Sequence, residues 1–435
     1  MSFITKIYKT KRKDKEMNKI YTIAIIGTGA RGAKAYGRLI YKSPDRYKIT
    51  HLCDINPTVL NTVGDEFCVP AENRFENPQE FFAERRADVL VIATPDDCHV
   101  EHCLSAMKLG YDILCEKPLT DKEEDCKALL ETQKKYGNKI LVCHVLRYAL
   151  SYLKLKELLD SGVLGRLVSL NWVEPVGYWH QAHSYVRGNW RNTAHAAPMI
   201  LAKCCHDLDL IQYFAEAKCE SVSSIGGLTF FKPECAPEGA TMRCSDCALK
   251  DTCAYSAYRI YVERWKANGS PAVDWPYNVL VTEPVTEEKI LNAIKEGPYG
   301  RCVFHCDNNV VDNQSVQMMF ENGVTATLQM NAFNQNSGRR VTLFGTYGMA
   351  DMVDDKITLN IYGQPAELID PAIQKTNEAY AHGGGDARMI DALYGMISGE
   401  SPLTTSLEQS VESHLIGIRA EESRLEGGKL LLVHA

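Results

Sequence analysis

A short glycine-rich run near the start of the chain constrains the fold more than any other feature. Residues 21–32, YTIAIIGTGARG, form a β-branched apolar stretch that turns directly into three glycines, Gly27, Gly29 and Gly32. A helical stretch, AKAYGRLIYKS, follows at once. Gly27 permits the tight turn, Gly29 lets the backbone approach a ligand closely, and Gly32 lets the helix pack on the strand. The run therefore predicts a strand–turn–helix unit of a parallel α/β sheet.

The N-terminus of that helix is suited to bind a pyrophosphate, because its N–H groups and dipole favour negative charge. The next predicted strand, YKITHLCD, ends in Asp54, which can accept hydrogen bonds from ribose hydroxyls and would repel a 2′-phosphate. Asp54 favours NAD over NADP, although the guanidinium of Arg31 could pair with such a phosphate. The residues of the turn that we expect to contact the dinucleotide are Gly27, Thr28, Gly29, Ala30, Arg31 and Gly32.

Strands and helices alternate over the rest of the first third of the chain. The predicted elements are strands at 87–94, 111–116 and 139–145 and helices near 77–84, 98–109 and 121–136. This alternation predicts a doubly wound parallel sheet, in which ligands lie beyond the carboxyl ends of the strands. Two loops are expected at that edge, ATPDDCH at 93–99 and CEKPLT at 115–120.

These motifs, taken in order, resemble those of the Gfo/Idh/MocA family of NAD(P)-dependent sugar oxidoreductases. The order is the glycine turn, Asp54, ATPDDCH and then Glu116-Lys117-Pro118. The resemblance implies that Lys117 reaches both cofactor and substrate; the alternative is an ordinary surface lysine in a loop. The further cofactor contacts that it implies are Thr94, Pro95 and His99, which flank the nicotinamide half, together with Glu116 and Lys117.

From about residue 147 the pattern changes to long strand-like runs joined by short turns. One run, NQSVQMMFENGVTATLQMNAF, contains Glu321-Asn322-Gly323, a hairpin turn between two alternating segments. Such strands predict a mainly antiparallel sheet that helices can cover on one face. The resemblance implies that the outer face of this sheet serves dimerisation. Helical segments return at 384–428, and we expect them to pack back on the first domain.

The sequence thus predicts an α/β protein with two domains. The first is a Rossmann domain with a doubly wound parallel sheet at 20–146, preceded by a disordered basic tail at 1–19. The second, at 147–435, is an α+β domain with a large, mainly antiparallel open sheet and a cysteine-rich insertion at about 232–306.

An otherwise apolar segment, MILAKCCHDLDLI at 199–211, carries several titratable side chains. On a continuous helix, Lys203 would share a face with His206 and Asp207. In the family that the chain resembles, a helix at this place carries Asp-x-x-x-His beside the lysine of Glu-Lys-Pro. His206 matches that histidine, but Ala202 stands where the aspartate is expected, and Lys203 lies next to it.

We therefore predict a catalytic group made of Lys117, Lys203 and His206. Oxidation of a secondary alcohol needs one group to take the hydroxyl proton as hydride leaves the carbon. Two nearby ammonium groups would lower each other's pKa and stabilise a developing alkoxide. The predicted base is His206 or a lysine beside it, with Lys117 as orienter and stabiliser. The alternative for Lys203 is a purely structural ion pair with Asp207.

Residues 177–191, GYWHQAHSYVRGNWR, combine aromatic rings with hydrogen-bond donors. This mixture suits a pyranose, which has an apolar ring face and a belt of hydroxyls, although Tyr, Trp and Arg are also enriched at oligomer interfaces. A glycine-rich loop, HGGGD at 382–386, is expected to close the pocket with His382 or Asp386. The predicted substrate contacts are Tyr178, His183, Tyr185, Arg187, Trp190, Arg191, Asp209 and His382.

A loop-rich stretch carries cysteines at a spacing typical of metal sites. Cys244-x-x-Cys247 can place two thiolates at adjacent vertices of a tetrahedron, and Cys253 adds a third. Cys302 is the predicted fourth ligand, with Cys235 and Cys306 as alternatives. A structural zinc would stabilise a long segment that has little core of its own. An iron–sulfur cluster and free thiols are the alternatives.

Bulk composition narrows the expected partners and compartment. The 435 residues are 45% hydrophobic and 24% charged, as in ordinary globular proteins, and the net charge of −7 gives no support for a nucleic-acid or membrane partner. No apolar run approaches the ~18 residues needed to cross a bilayer. Its 16 cysteines, without an export signal, indicate a reducing compartment, so we expect a cytoplasmic protein. We also expect a homo-oligomer, either a dimer or a tetramer.

These inferences lead to one predicted function and two alternatives. The prediction is an NAD-dependent oxidoreductase that converts a ring secondary hydroxyl of a sugar, glycoside or cyclitol to a ketone, or the reverse. The first alternative uses tightly held NAD to oxidise a glycoside transiently, eliminates the aglycone and returns the hydride, so that the net reaction is hydrolysis or lyase chemistry. The second is a non-catalytic dinucleotide sensor or scaffold.

Overall fold

The computed structural model describes residues 19–269, 275–281, 284–371, 382–402 and 404–434. The predicted basic tail lies outside the described residues except for Lys19. Within the described ranges, every helix is too short or too polar to span a membrane.

Six strands form the first sheet. They are β1 (Tyr21–Ile26), β2 (Tyr47–Cys53), β3 (Arg74–Phe75), β4 (Val89–Ile92), β5 (Asp112–Cys115) and β6 (Ile140–Val142). All pair in parallel, in the order β3-β2-β1-β4-β5-β6. From β1 the chain adds β2 and β3 on one side of the sheet, and then β4, β5 and β6 on the other side. A crevice therefore opens at the carboxyl ends of β1 and β4. The predicted doubly wound Rossmann sheet is confirmed.

Helices connect these strands. They are α1 (Arg38–Tyr41), which continues a π-helical turn at Ala30–Gly37, α2 (Pro57–Glu66), α3 (Pro78–Phe81), α4 (His99–Lys108) and α5 (Glu123–Tyr136). Asn56 caps α2 by accepting hydrogen bonds from the backbone N–H groups of Thr58 and Val59. α5 ends at Gly137, whose φ of 73° is the left-handed conformation that glycine adopts most readily.

Nine strands form the second sheet. They are β7 (Leu167–Gly177), β8 (Cys219–Gly227), β9 (Asn313–Phe320), β10 (Thr325–Asn334), β11 (Arg340–Gly345), β12 (Gly348–Val353), β13 (Lys356–Ile361), β14 (Glu367–Ile369) and β15 (Leu431–Leu432). Their order is β14-β13-β12-β11-β7-β10-β9-β8-β15, and only β7 and β10 pair in parallel. The predicted large, mainly antiparallel sheet is confirmed, including the β9–β10 hairpin, where Gly323 has φ of 83°.

The remaining helices accompany the second sheet or fill its connections. The α-helices are α6 (Leu150–Asp160), α7 (Tyr178–His180), α8 (Met199–Ala202), α9 (Cys205–Ala215), α10 (Arg264–Ala267), α11 (Tyr277–Leu280), α12 (Glu287–Glu296), α13 (Gly385–Ser398) and α14 (Leu407–Leu425). Short 3₁₀ or π-helical turns occur at Ala71–Asn73, Asp96–Cys98, Val145–Tyr148, Gln181–Arg187, Asn189–Arg191, Pro233–Cys235, Cys244–Asp246, Tyr258–Glu263, Pro298–Gly300 and His382–Gly384.

The last two helices contact the first domain. The hydroxyl of Tyr47 donates a hydrogen bond of 2.7 Å to the carbonyl of Ile390 in α13. The backbone N–H of Leu119, in the loop after β5, donates one of 2.8 Å to Nε2 of His414 in α14. These helices therefore contact the first domain both at the start of β2 and in the loop after β5.

The cysteine-rich segment between β8 and β9 has a hydrophobic cluster of its own. Phe231, Tyr261 and Ile290 are buried there, together with Ala182 and Val186 of the preceding aromatic segment. The expectation that this segment has little core was wrong, because helix Glu287–Glu296 contributes the buried pair Ile290 and Ile294, and aromatic residues of the surrounding loops pack against them.

Candidate active site

The glycine turn after β1 leaves room for a ligand at one position. A methyl group on Gly27 would lie 2.5 Å from the carbonyl oxygen of Ala93, and one on Gly32 would lie 1.9 Å from that of Gly27. A methyl group on Gly29 would meet nothing within 4 Å. Gly27 and Gly32 are thus required by close packing, whereas Gly29 faces open space at the start of the helix. The turn fits a pyrophosphate.

Asp54 fastens this turn to the end of β2. Its Oδ2 atom accepts hydrogen bonds from the backbone N–H of Thr28, at 2.7 Å, and from the Thr28 hydroxyl, at 2.9 Å. Its Oδ1 atom accepts one of 2.9 Å from the backbone N–H of Asn56. The carboxylate is only partly buried, so it is placed where a ribose hydroxyl could reach it.

Arg31 points away from Asp54, toward the other end of the crevice. Its Nε atom lies 2.7 Å from Oε1 of Glu116, and its Nη2 atom lies 2.8 Å from Oδ1 of Asp386 in α13. The Tyr36 hydroxyl donates a hydrogen bond of 2.5 Å to the same Glu116 oxygen. Burial alone would raise the pKa of Glu116, but Arg31 and Lys117 outweigh it and hold that pKa below its usual value.

His99 joins the two loops that the sequence placed at the sheet edge. Its Nδ1 atom lies 2.7 Å from the carbonyl oxygen of Pro118, and its Nε2 atom lies 2.9 Å from that of Thr94. His99 is buried, while Thr94 is half-buried and Pro95 is exposed. Among the predicted nicotinamide contacts, Thr94 and Pro95 therefore lie on the accessible side of the loop, and His99 lies behind it.

Lys117 lies against the segment that carries the other predicted catalytic residues. Its Nζ atom donates a hydrogen bond of 3.0 Å to the carbonyl of Ala202, at the end of α8. Burial favours the neutral amine, but Cys205, Glu116 and Asp96 outweigh it, and the pKa of Lys117 is raised. The expectation that a nearby ammonium group would lower the pKa of Lys117 was wrong, because Cys205, Glu116 and Asp96 raise this pKa more than burial and positive groups lower it.

The segment 199–211 is not one continuous helix. α8 ends at Ala202 and α9 begins at Cys205, with Lys203 and Cys204 in the turn between them. Lys203 therefore does not form the helical pair with Asp207 that uniform spacing suggests. Its Nζ atom instead lies 3.2 Å from Oε1 of Glu174 on β7.

A buried charged network backs this turn; it consists of Lys203, Glu174, Arg339 and Asp207. Arg339 Nε lies 2.8 Å from Glu174 Oε2 and 2.6 Å from Asp207 Oδ1. Trp172 Nε1 donates a further hydrogen bond of 2.7 Å to Asp207 Oδ1. Burial raises the pKa of Asp207, although Arg339 opposes the shift. Neither Glu174 nor Arg339 was predicted, since no local motif marks them.

His206 is half-buried in the first turn of α9. Its ring centroid lies 6.2 Å from that of His144, in an edge-to-face arrangement, at the end of β6. His206 directly follows Cys205 in α9. The Lys117–Ala202 bond thus brings Lys117 to the turn that carries Lys203, three residues before His206.

Part of the aromatic segment 177–191 faces the Rossmann loops. The Trp190 side chain donates a hydrogen bond of 3.1 Å from Nε1 to Oδ2 of Asp96, in the 93–99 loop. Tyr185 packs between Trp190 and His180, with ring centroids 6.2 and 5.8 Å away. Asp96 was not singled out from the sequence, but it lies in the predicted loop at 93–99.

The other predicted residues of this segment face the cysteine-rich insertion. His183 Nδ1 lies 2.9 Å from the Tyr261 hydroxyl. Tyr178 packs against Tyr255 in an edge-to-face arrangement, with ring centroids 6.0 Å apart. Arg187 Nε donates a hydrogen bond of 2.7 Å to the carbonyl of Arg301. Arg191 Nε lies 2.7 Å from Oδ1 of Asp307. The contacts of these four residues are thus with the insertion.

Asp209 forms a buried ion pair. Arg147 donates hydrogen bonds of 2.7 Å from both Nε and Nη2 to its two carboxylate oxygens. Arg147 Nη1 donates another, of 2.9 Å, to the carbonyl of Thr404. This arrangement joins the turn at Val145–Tyr148, α9 and the segment before α14. The side chain of His382, the remaining predicted substrate contact, lies outside the described residues.

The zinc prediction finds no support in the structure. The four predicted ligands, Cys244, Cys247, Cys253 and Cys302, do line one cavity, together with Arg187. In the part of the chain that the structure describes, however, no three His, Cys, Asp or Glu side chains are arranged to hold a metal ion. The same cysteines are free thiols rather than disulfides.

The fold and the glycine turn define the class of two-domain, dinucleotide-binding α/β proteins. Residues 21–144 match the family model described as an oxidoreductase family with an NAD-binding Rossmann fold. Residues 156–432 match the model for the C-terminal α/β domain of the same family. The chain belongs to the Gfo/Idh/MocA oxidoreductase family, which confirms the resemblance drawn from its motifs.

Individual relatives are distant. The chain is similar to the putative oxidoreductase YteT of Bacillus subtilis, with 24% identity over 393 residues, 84% of this chain and 85% of that protein. It is also similar to the 2,7-anhydro-N-acetylneuraminate hydratase of Mediterraneibacter gnavus, with 24% identity over 260 residues, 60% of this chain and 64% of that protein. The scyllo-inositol dehydrogenase of Lactobacillus casei shares the fold, with a TM-score of 0.65, 16% identity and coverage of 96% and 100%.

Proposed function

We propose that the protein is an NAD-dependent oxidoreductase that interconverts a ring secondary hydroxyl and a ketone on a sugar, glycoside or cyclitol. The hydrogen bond from Lys117 to Ala202 carries this proposal. It joins the Glu-Lys-Pro loop to the turn at Lys203, which leads into α9 and His206. Family membership supports the substrate class, as do the activities for which the relatives are named, which include a sugar-acid hydratase and an inositol dehydrogenase.

The dinucleotide would be held by the glycine turn and by Asp54. Bound NAD would supply the hydride acceptor or donor. NAD is favoured over NADP because Asp54 lies beside the turn, while Arg31, the guanidinium that could receive a 2′-phosphate, is engaged by Glu116 and Asp386. Equilibrium titration with each dinucleotide tests this preference.

His206 is the proposed base. The raised pKa of Lys117 keeps this side chain an ammonium, so it serves as a hydrogen-bond donor to the substrate oxygen and stabilises negative charge there. Lys203, paired with Glu174, adds a second positive group to the same side. An imidazole nitrogen of His206 then takes the hydroxyl proton during oxidation, and returns it during reduction.

A panel of sugars, glycosides and cyclitols tests the activity. Formation of NADH, followed by absorbance at about 340 nm, is expected with at least one member of the panel. Calorimetry with NAD alone is the control for cofactor binding. A protein that binds NAD but turns over no member of the panel would fit the scaffold alternative instead.

Redox-assisted elimination is the second candidate. Two observations favour it: Ala202 replaces the carboxylate expected beside the histidine, and the Mediterraneibacter gnavus relative is named as a hydratase. In this case the hydride returns to the product, so the net reaction leaves NAD unchanged. Product formation without accumulation of NADH identifies elimination, whereas stoichiometric NADH identifies the dehydrogenase.

A further inference from the structure

The charged network behind the Lys203 turn is asymmetric. The carboxylates of Glu174 and Asp207 have side-chain exposures of 1% and 0%, whereas the cations Lys203 and Arg339 have exposures of 16% and 15%. The carboxylates are therefore enclosed by protein, and within this network only the side chains of Lys203 and Arg339 are partly exposed.

The network lies beside the proposed substrate site, because Lys203 directly follows Ala202, the acceptor of the Lys117 bond, and Glu174 lies on β7, which leads into the aromatic segment 177–191. Burial, then Lys203, His183, Lys117 and Arg339, hold the pKa of His180 well below its usual value. His180 packs against Tyr185, which also neighbours Trp190. Lys203, Lys117 and Arg339 thus act electrostatically on His180, which belongs to this aromatic cluster.

The carboxylates on the opposite side of the site have partners of their own. Asp96 accepts the hydrogen bond from Trp190 and lies near Lys117. Glu116 pairs with Arg31 and accepts from Tyr36. Among the described residues, neither Asp96 nor Glu116 forms a hydrogen bond or an ion pair with Lys203 or Arg339.

We propose that the sugar bound at this site carries a carboxylate, which Lys203 and Arg339 bind from the wall of the second domain. An ammonium has three N–H donors, so its pairing with Glu174 leaves capacity for another acceptor. Charge-assisted hydrogen bonds of this kind are stronger than those to neutral hydroxyls. The substrate class is therefore an acidic sugar, such as a uronic acid or its glycoside, and this inference rests on the function proposed above.

Matched sugars test the inference by binding, without requiring turnover. Calorimetry on NAD-loaded protein compares D-galacturonic acid with D-galactose, and D-glucuronic acid with D-glucose. We expect at least one acid to bind about tenfold more tightly than its neutral partner. Raising sodium chloride from about 0.05 M to about 0.5 M should weaken the acid several-fold and leave the neutral sugar unchanged. Neutral sugars that bind as tightly as both acids, or acids that do not bind, would overturn it.

A pair of variants locates the recognition. Lys203→Met should reduce the acid-to-neutral ratio of dissociation constants by about tenfold, whereas Lys203→Arg should retain most of it. Lys266→Met, which removes an exposed lysine paired with Glu287, is the control and should leave the ratio unchanged. An unaltered ratio in Lys203→Met would refute the assignment. Should that variant fail to fold, the salt dependence of the wild-type protein still decides.

The binding readout separates this inference from the proposed function. Selective, salt-sensitive binding of an acid without any NADH formation would uphold the substrate class and reject the dehydrogenase activity. NADH formation from neutral sugars alone would do the reverse.

Discussion

The Nζ atom of Lys117 donates a hydrogen bond of 3.0 Å to the carbonyl of Ala202. This contact joins the end of a Rossmann strand to the turn that carries Lys203 and leads into His206. At Ala202, where the resemblance implied an aspartate, Lys117 meets a backbone acceptor instead of a carboxylate. The proposed chemistry consequently depends on an imidazole base beside ammonium groups.

Replacement of His206 by asparagine should abolish most turnover. Without the imidazole base, kcat should fall about 10²- to 10⁴-fold, while NAD affinity stays unchanged because the glycine turn is intact. Steady-state kinetics and calorimetry measure the two quantities. His434→Ala, a histidine paired with Glu412 near the C-terminus, is the control. Turnover of His206→Asn within about threefold of wild type would exclude this base.

Two glycine substitutions should separate folding from cofactor binding. Gly32→Ala would place a methyl group 1.9 Å from the Gly27 carbonyl oxygen, so we expect a loss of about 1–3 kcal/mol in the free energy of unfolding. Gly29→Ala meets nothing within 4 Å and should leave stability unchanged, but it should weaken NAD binding about tenfold by obstructing the phosphate approach. Urea unfolding and calorimetry are the measurements. Equal NAD affinity in Gly29→Ala and wild type would contradict the cofactor position.

Asp209→Asn should destabilise the protein severely. This change leaves Arg147 with an incomplete buried partner, and breaking such a pair typically costs about 3–5 kcal/mol. Asp307→Asn, which weakens the more exposed pairs with Arg191 and Arg301, should cost less, about 1 kcal/mol. Chemical unfolding of both variants compares them. If the Asp209→Asn protein kept wild-type stability and lost only substrate affinity, Asp209 would be a substrate contact, as the sequence predicted.

The cofactor motifs could be predicted from the sequence, whereas the charged network could not. The glycine turn, Asp54 and Glu116-Lys117 could be recognised because each acts within a few residues of a strand end. Glu174 and Arg339 could not, since their pairing is created only when β7 and the segment before β11 come together. The partner of Lys203 depends on the break after α8, which apolar spacing does not reveal.

Acidification should destabilise the fold through its buried histidines. Burial lowers the pKa of His414 to about 4 from an unfolded value near 6.5. Between these values the unfolded chain binds more protons than the folded protein, so stability falls as the pH decreases through this window. The contribution is at most ~1.4 kcal/mol per pH unit for one such group.

His414→Gln should reduce that dependence, because glutamine can accept from Leu119 without titrating. Urea unfolding of wild type and variant at about pH 7 and about pH 5 gives the comparison. Identical losses of stability in both proteins would show that His414 does not contribute.

The transfer of deuterium from substrate to cofactor tests the central claim most directly. A sugar substrate from the panel, deuterated at the carbon that bears the reacting hydroxyl, is mixed with NAD-loaded protein in a single turnover, and the nicotinamide is analysed by mass spectrometry. We predict one deuterium on the reduced nicotinamide with wild-type protein and none with His206→Asn on the same timescale. Product formed by the wild-type protein with no deuterium passing through the nicotinamide would contradict the account.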